Sequence, residues 1–314
     1  MYSNEWDTLY NGIPKETPEL VWKKITNWET LPFYHLFSIN KFMHQDFLKI
    51  MYEKIHYYSF YEHLVFMSEN KTFPNLNQIL VVYFFLCNLS SKKIKNATII
   101  LIPLDIPKML ETSTFSVKNV NSGVCIGFEN IIIWRQEEMS KVLCHELVHL
   151  LNLDYFDECK KMEKIPSKLF KLKKNVETFP NEATTDTLTL VIMSYLNAKR
   201  LNLKPQDVYR TEVEWTCKQM LKIWKVLNKD SIDISADVIS YYFLKGILMY
   251  KILVEPEFLK YFLHGTVLSN KEKNIKKINE VLTNLSHIES LGKFMLSIKK
   301  LDKDKTLKMS YFSL

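Results

Sequence analysis

Glycine and proline are scarce in this chain, which has six glycines and ten prolines among 314 residues. These two residues are common at tight turns and helix ends. Their scarcity therefore favours long helices and disfavours propellers, collagen-like repeats and turn-rich all-β folds. The chain is 47% hydrophobic and 25% charged, which is typical of a globular protein with a substantial core. We therefore predict an α+β fold that is predominantly helical and contains a small mixed sheet.

The net charge of +7 comes almost entirely from lysine, because the only arginines are Arg135, Arg200 and Arg210. Arginine is the side chain best suited to bidentate hydrogen bonds with phosphates and bases. We therefore expect no nucleic-acid partner, and we interpret the lysines as solvated surface residues. A lysine-based nucleic-acid binder remains an alternative, and its affinity would fall steeply with salt.

The sequence gives no sign of a secretory or membrane segment. Its first ten residues include Glu5 and Asp7 and lack the apolar centre of a signal peptide. The longest apolar run, at residues 79–87, is too short to cross a bilayer as a helix. The five cysteines are scattered without a C-x-x-C pair, which favours free thiols in a reducing compartment. We expect a cytoplasmic protein with no membrane span, and the sequence leaves its oligomeric state open.

Changes in pattern divide the chain into three parts. We predict a mainly helical N-terminal part at residues 1–95, a mixed part at 96–200 and a helical C-terminal part at 201–314. Apolar residues recur at helical spacing from 40 to 68, so a helix is expected there. Residues 77–89 are apolar on all sides, which indicates burial but does not distinguish a helix from a strand.

The central part carries the predicted sheet. Residues 97–103 have the composition of a strand, and residues 123–126 and 131–134 are predicted to form two more strands joined by a turn. Two helices are expected in the same part, at 136–151 and 181–197. The residues best suited to metal binding and catalysis lie on these two helices.

The first of these helices contains the run His145-Glu146-Leu147-Val148-His149. Residues four apart lie on one face of a helix, so both imidazoles can approach one metal ion. This H-E-x-x-H arrangement supplies two zinc ligands and a carboxylate that can act as a general base. Zinc lowers the pKa of a bound water to about 7, and the carboxylate can take the proton as the water attacks a carbonyl. The alternative is an ordinary amphipathic helix with two exposed histidines.

A zinc site of this kind needs a third protein ligand, and the second helix offers one. Glu182 is followed four residues later by Asp186, so the two carboxylates share a helix face. Glu182 can bind the metal while Asp186 accepts a hydrogen bond from the free N–H of a ligand histidine. The other downstream glutamates considered as third ligand are Glu158, Glu163, Glu177, Glu212 and Glu214.

Together these two motifs resemble the gluzincin metallopeptidases, the thermolysin- and neprilysin-like clan. The resemblance covers residues 121–190 and implies a zincin-like catalytic core that binds Zn²⁺. The stretch between the two motifs is longer than in thermolysin, so an insertion is also implied. The implied roles are metal ligand for His145, His149 and Glu182, general base for Glu146, and support of His145 for Asp186.

Gluzincins also resemble one another in an edge strand that precedes the helix of the H-E-x-x-H motif and binds the substrate main chain by strand addition. Asn121 lies at the matching place here, and the alternative is an ordinary loop entering a strand. The oxyanion is usually stabilised by a His, Tyr or Arg from the C-terminal part, and the candidates here are His264, Tyr242 and Tyr241. The sequence does not choose among them, and each is also compatible with an ordinary surface or core position.

A metzincin-like site is the competing zinc interpretation. That motif continues as H-E-x-x-H-x-x-G-x-x-H, but here Asn152 replaces the glycine and Tyr155 stands at the third ligand position. Residues 192–195 superficially resemble a Met-turn, yet they continue the second helix. We therefore predict a zinc-dependent peptidase acting on peptide or protein substrates. The alternatives are a metzincin-like peptidase with a different third ligand and an inactive, zinc-scaffolded interaction protein.

Overall fold

The structure is a computed structural model of the chain. It describes residues 4–39, 45–108, 114–115, 121–127, 129–154, 165–166, 177–178, 180–227, 233–234, 239–262, 271–298 and 308–312. Most of these residues are helical, and the largest sheet is small and mixed, so the predicted α+β class is confirmed at that level.

The helices and strands carry labels in chain order. The helices are α1 (Asn4–Asn11), α2 (Tyr34–Ile39), α3 (Gln45–Lys54), α4 (Leu76–Leu89), α5 (Met139–Leu150), α6 (Asn181–Leu201), α7 (Pro205–Leu227), α8 (Lys245–Val254), α9 (Lys271–Thr283) and α10 (Leu285–Ser297). The strands are β1 (Lys23–Lys24), β2 (Tyr57–Tyr61), β3 (Leu64–Ser68), β4 (Thr98–Leu104), β5 (Thr114–Phe115), β6 (Gly123–Ile126), β7 (Asn130–Arg135), β8 (Ile165–Pro166), β9 (Glu177–Thr178) and β10 (Asp233–Ile234).

The six-stranded sheet has the order β1-β2-β3-β4-β7-β6. The pairs β3–β4 and β4–β7 are parallel, whereas β1–β2, β2–β3 and β6–β7 are antiparallel. The three strands predicted in the central part are β4, β6 and β7, so that part of the expectation is confirmed. Strand β6 is therefore an antiparallel edge strand, and the chain continues from its partner β7 into α5.

Both faces of the sheet are buried at its central strands, β3, β4 and β7. Side chains that alternate along β3, β4 and β7, such as Val65, Ile100 and Ile132, pack in one core cluster with residues of α2 and α3. Their neighbours on the opposite face, such as Ile133, are also buried, and α5 packs against β6 and β7. The sheet thus fixes where α5 begins and which of its faces is covered.

The helix expected over residues 40–68 is wrong in its second half, where the chain forms the hairpin β2–β3. The turn between these strands is Glu62-His63, and Glu62 takes the left-handed conformation with φ 48°. Glycine or asparagine normally supplies that conformation in a hairpin turn, so the usual sequence signal is missing. Strand β3 is also buried at every position, which removes the alternation that would have marked it as a strand.

The undecided apolar segment at 77–89 is a helix. It forms most of α4, which buries residues on nearly every side and packs against α5. A helix of fourteen residues that is apolar all round is a core helix, and its sequence pattern alone resembles a buried strand. None of the helices within the described ranges combines the length and apolarity needed to span a membrane.

Contacts along the chain separate two compact units. One unit contains the six-stranded sheet with α2 to α5, and the other contains α6 to α10. The predicted division into residues 1–95, 96–200 and 201–314 stays a prediction.

Candidate metal centre

Helix α5 presents the H-E-x-x-H residues inside the protein. It starts at Met139, just after β7, and Glu138 precedes it in a left-handed conformation with φ 62°. His145, Glu146 and His149 are only 6–7% exposed, so the alternative of two exposed histidines on an amphipathic helix is wrong. Imidazoles and a carboxylate at such depth need partners, because burying polar groups without them is costly.

The two histidines meet at their Nε2 atoms, which lie 3.2 Å apart. Their rings are almost perpendicular, with centroids 4.8 Å apart. Two nitrogen ligands on a tetrahedral zinc ion at about 2.0–2.1 Å would be about 3.3 Å from each other. An N–H···N hydrogen bond gives a similar spacing, but the geometry already suits two imidazoles that share one ion.

Glu182 completes a group that could hold a metal ion. His145, His149 and Glu182 each offer a ligand atom, and these atoms lie within 4.8 Å of one another. Two imidazoles and one carboxylate form a donor set typical of zinc, and three protein ligands leave a position for water or substrate. The residues present therefore fit a metal such as Zn²⁺.

Helix α6 positions Glu182 in its first turn. The side chain is half-buried, and its Oε2 accepts a hydrogen bond from the Tyr241 hydroxyl at 3.1 Å. One turn later, the fully buried Asp186 forms an ion pair with Lys245, with Nζ 2.8 Å from Oδ2. The expectation that Glu182 and Asp186 share a helix face agrees with these contacts. The proposed contact of Asp186 with His145 stays a prediction.

The chain that follows α5 is tied to α6 by a different carboxylate. Asp154 is buried, and its Oδ2 accepts a hydrogen bond from the Thr185 hydroxyl at 2.8 Å. Asp154 is not among the three residues of the metal group within the described residues. Tyr155, the third position of the metzincin motif, lies outside the described residues. The carboxylate of the group thus comes from Glu182.

The oxyanion candidates differ in their surroundings. Tyr242 is fully buried, and the Lys245 ammonium lies 5.7 Å from the centre of its ring. Its neighbour Tyr241 is half-buried and contacts Glu182. His264 lies outside the described residues. A role for Tyr242 or His264 in catalysis stays a prediction.

The edge strand passes close to the proposed base. Asn121 is half-buried and lies two residues before Gly123, the first residue of β6. A Cβ atom added to Gly123 would lie 2.7 Å from Val142 Cγ1 and 3.3 Å from Glu146 Oε1. Glycine in a strand often marks such a close approach, and this signal could have identified the position from the sequence. The proposed contact of Asn121 with substrate stays a prediction.

No protein family model, curated protein or solved structure matches the chain. The assignment of the site therefore depends on its own geometry and on the two motifs. The gluzincin resemblance remains an interpretation of those motifs.

Proposed function

We propose that the protein is a zinc-dependent peptidase. The observation that carries this proposal is the group His145, His149 and Glu182, whose ligand atoms lie within 4.8 Å of one another. A buried carboxylate, Glu146, adjoins this group in sequence without belonging to it. A metal site that only stabilises the structure does not require the Glu146 carboxylate. The presence of this carboxylate therefore favours a catalytic protein over a zinc-scaffolded interaction protein.

The chemistry divides between the ion and the protein. When bound, zinc would polarise the carbonyl of the substrate and make water a stronger acid. Glu146 would accept a proton from the attacking water and deliver it to the leaving nitrogen. Because Glu146 is only 7% exposed, its carboxylate stands in a partly dehydrated environment where a proton can be held between the two steps.

The substrate would be an extended peptide. Strand β6 is an edge of the sheet and its described pairing is with β7 alone, so its other side can add the main chain of a substrate. Gly123 brings this edge within reach of Glu146 because it has no side chain to hold the two apart. We infer that an antiparallel edge strand followed by the metal helix forms a zincin-like catalytic core.

Peptides or proteins of the cytoplasm are the expected substrates. Cys87, Cys125, Cys144 and Cys217 are free cysteines in the described part of the chain, which supports a reducing compartment. The proposal does not identify the peptide sequence that is cleaved.

A zinc and activity experiment tests this function. The full chain should bind one zinc ion, cleave members of a peptide library, and lose cleavage when a chelator removes the metal. Glu146→Gln should retain zinc and lose cleavage, because the amide cannot take the proton. Glu257→Gln, an exposed glutamate of the second unit, is the matched control and should retain both.

Two results would contradict the proposal. Cleavage that persists in Glu146→Gln would exclude its role as base. Zinc binding by the wild-type protein with no cleavage of any peptide would favour the zinc-scaffolded interaction protein instead.

A further inference from the structure

A π-helical turn, Ser240–Leu244, leads directly into α8. The Lys245 N–H donates to the Ser240 carbonyl, five residues back, which is the hydrogen bond that defines this wider turn. Such turns are rare and occur often at functional sites. Tyr241 of this turn and Lys245, the first residue of α8, both contact side chains at the start of α6.

The contacts between the two elements are matched in spacing. The Tyr241 hydroxyl donates to Glu182 Oε2 at 3.1 Å, and Lys245 Nζ lies 2.8 Å from Asp186 Oδ2. Tyr241 and Lys245 are four positions apart along the chain, and so are their partners Glu182 and Asp186. The second contact therefore fixes the register in which the first one forms.

The Lys245–Asp186 ion pair strongly restrains how α8 packs against α6, because both side chains are shielded from water. The side chains of Lys245 and Asp186 are 1% and 0% exposed. Attraction between opposite charges is larger away from water, and neither side chain has room to adopt another position. By contrast, Glu182 and Tyr241 are half-buried, and the hydrogen bond from Tyr241 to Glu182 Oε2, at 3.1 Å, is shorter than the one that Asn181 Nδ2 donates to Glu182 Oε1, at 3.5 Å.

We propose that Tyr241 is a positioning residue of the metal centre, and that the Lys245–Asp186 ion pair holds it there. This inference rests on the assignment of Glu182 as a metal ligand. A glutamate side chain has three rotatable bonds, and metal binding must fix all of them. The hydrogen bond from Tyr241 restrains the carboxylate beforehand, and partners of this kind raise metal affinity in other sites.

The test measures binding of Zn²⁺ alone to the full chain, in competition with a chromophoric chelator. Tyr241→Phe removes only the hydroxyl and should weaken zinc binding by about tenfold, the lower end of the range for partners of ligating groups. Tyr209→Phe is the control, because it also deletes a hydrogen-bonding tyrosine hydroxyl, one that donates to the Met249 carbonyl at 3.1 Å. The control should bind zinc like the wild type.

Two further measurements separate positioning from general destabilisation. The thermal midpoints of metal-free Tyr241→Phe and Tyr209→Phe should be similar, while the visible spectrum of bound Co²⁺ should change only in the former. Lys245→Met should also weaken zinc binding. Adding Tyr241→Phe to Lys245→Met should cause little further loss, since residues that act through one contact are not additive.

The outcomes distinguish this inference from the proposed function. Zinc binding by Tyr241→Phe that equals the wild type, or an equal loss in Tyr209→Phe, overturns the positioning role. Because no peptide is present, a wild-type protein that binds zinc but cleaves nothing would refute the peptidase and leave Tyr241 in its role. A wild-type protein that binds no zinc overturns both.

Discussion

Replacing Gly123 by alanine would press a methyl group against α5. The new Cβ would lie 2.7 Å from Val142 Cγ1, 3.1 Å from Ile133 Cγ1 and 3.3 Å from Glu146 Oε1. Carbon atoms in favourable contact are about 3.5–4.0 Å apart, so the contact with Val142 is too short by roughly 1 Å. Either β6 moves away from α5 or the side chains of α5 shift.

Both responses should lower the free energy of unfolding, and the size of this loss can be bounded. Adding a methyl group to a well-packed site typically destabilises a protein by about 1–3 kcal/mol. The lower half of that range is expected here, because β6 is an edge strand and can move outward. Activity should fall further than stability, since a displacement of about 1 Å between substrate and catalytic group can cost about 100-fold in rate.

Urea unfolding and peptide cleavage measured on the same preparation check this expectation. Gly292→Ala is the control, because an added Cβ there has no atom within 4 Å and Gly292 lies inside α10. It should leave activity unchanged and stabilise the helix by up to about 1 kcal/mol. A Gly123→Ala protein with wild-type cleavage would refute the close approach of β6 to Glu146 as a requirement for activity.

Two other perturbations have definite expected results. The buried carboxylate of Glu212 accepts hydrogen bonds from the N–H groups of Tyr311 and Phe312, at 2.9 and 3.2 Å. Glu212→Gln should therefore speed hydrogen exchange at those two amides by about tenfold or more. Unchanged exchange would contradict the binding of these two N–H groups by the Glu212 carboxylate. Burial lowers the pKa of the His287 imidazole below its ordinary value of 6.5, so the unfolded chain binds this proton more readily than the folded one. The contribution of His287 to stability is thus present above pH 6.5 and lost as the pH falls below it. His287→Gln should reduce the loss of thermal stability between pH 6.5 and pH 5, and an unchanged pH dependence would count against burial of the neutral ring.

Local patterns predicted the elements that carry the site. The H-E-x-x-H residues lie on α5, Glu182 and Asp186 lie on one face of α6, and β6 and β7 precede them as expected. Helical periodicity and the spacing of metal-binding residues act over a few residues, so one sequence contains the information. The need for a third ligand left several glutamates open, and the spacing of Glu182 and Asp186 selected Glu182 among them.

Contacts between distant segments had no such signal. Tyr241 and Lys245 meet Glu182 and Asp186 through packing of α6 against the π-helical turn and α8, which no pattern in either segment indicates. The hairpin after α3 was mistaken for a helix because Glu62 takes a conformation usually reserved for glycine or asparagine. In both cases tertiary contacts decide, and local preference is too weak a guide.

Anomalous X-ray scattering at the zinc edge, on crystals of the zinc-loaded protein, tests the central claim most directly. One ion is expected, at about 2.0–2.2 Å from a nitrogen of His145, a nitrogen of His149 and a carboxylate oxygen of Glu182, with Glu146 outside the coordination sphere. A zinc ion bound elsewhere, or one held by the two histidines with Glu182 far from it, would contradict the proposed metal centre and the chemistry derived from it.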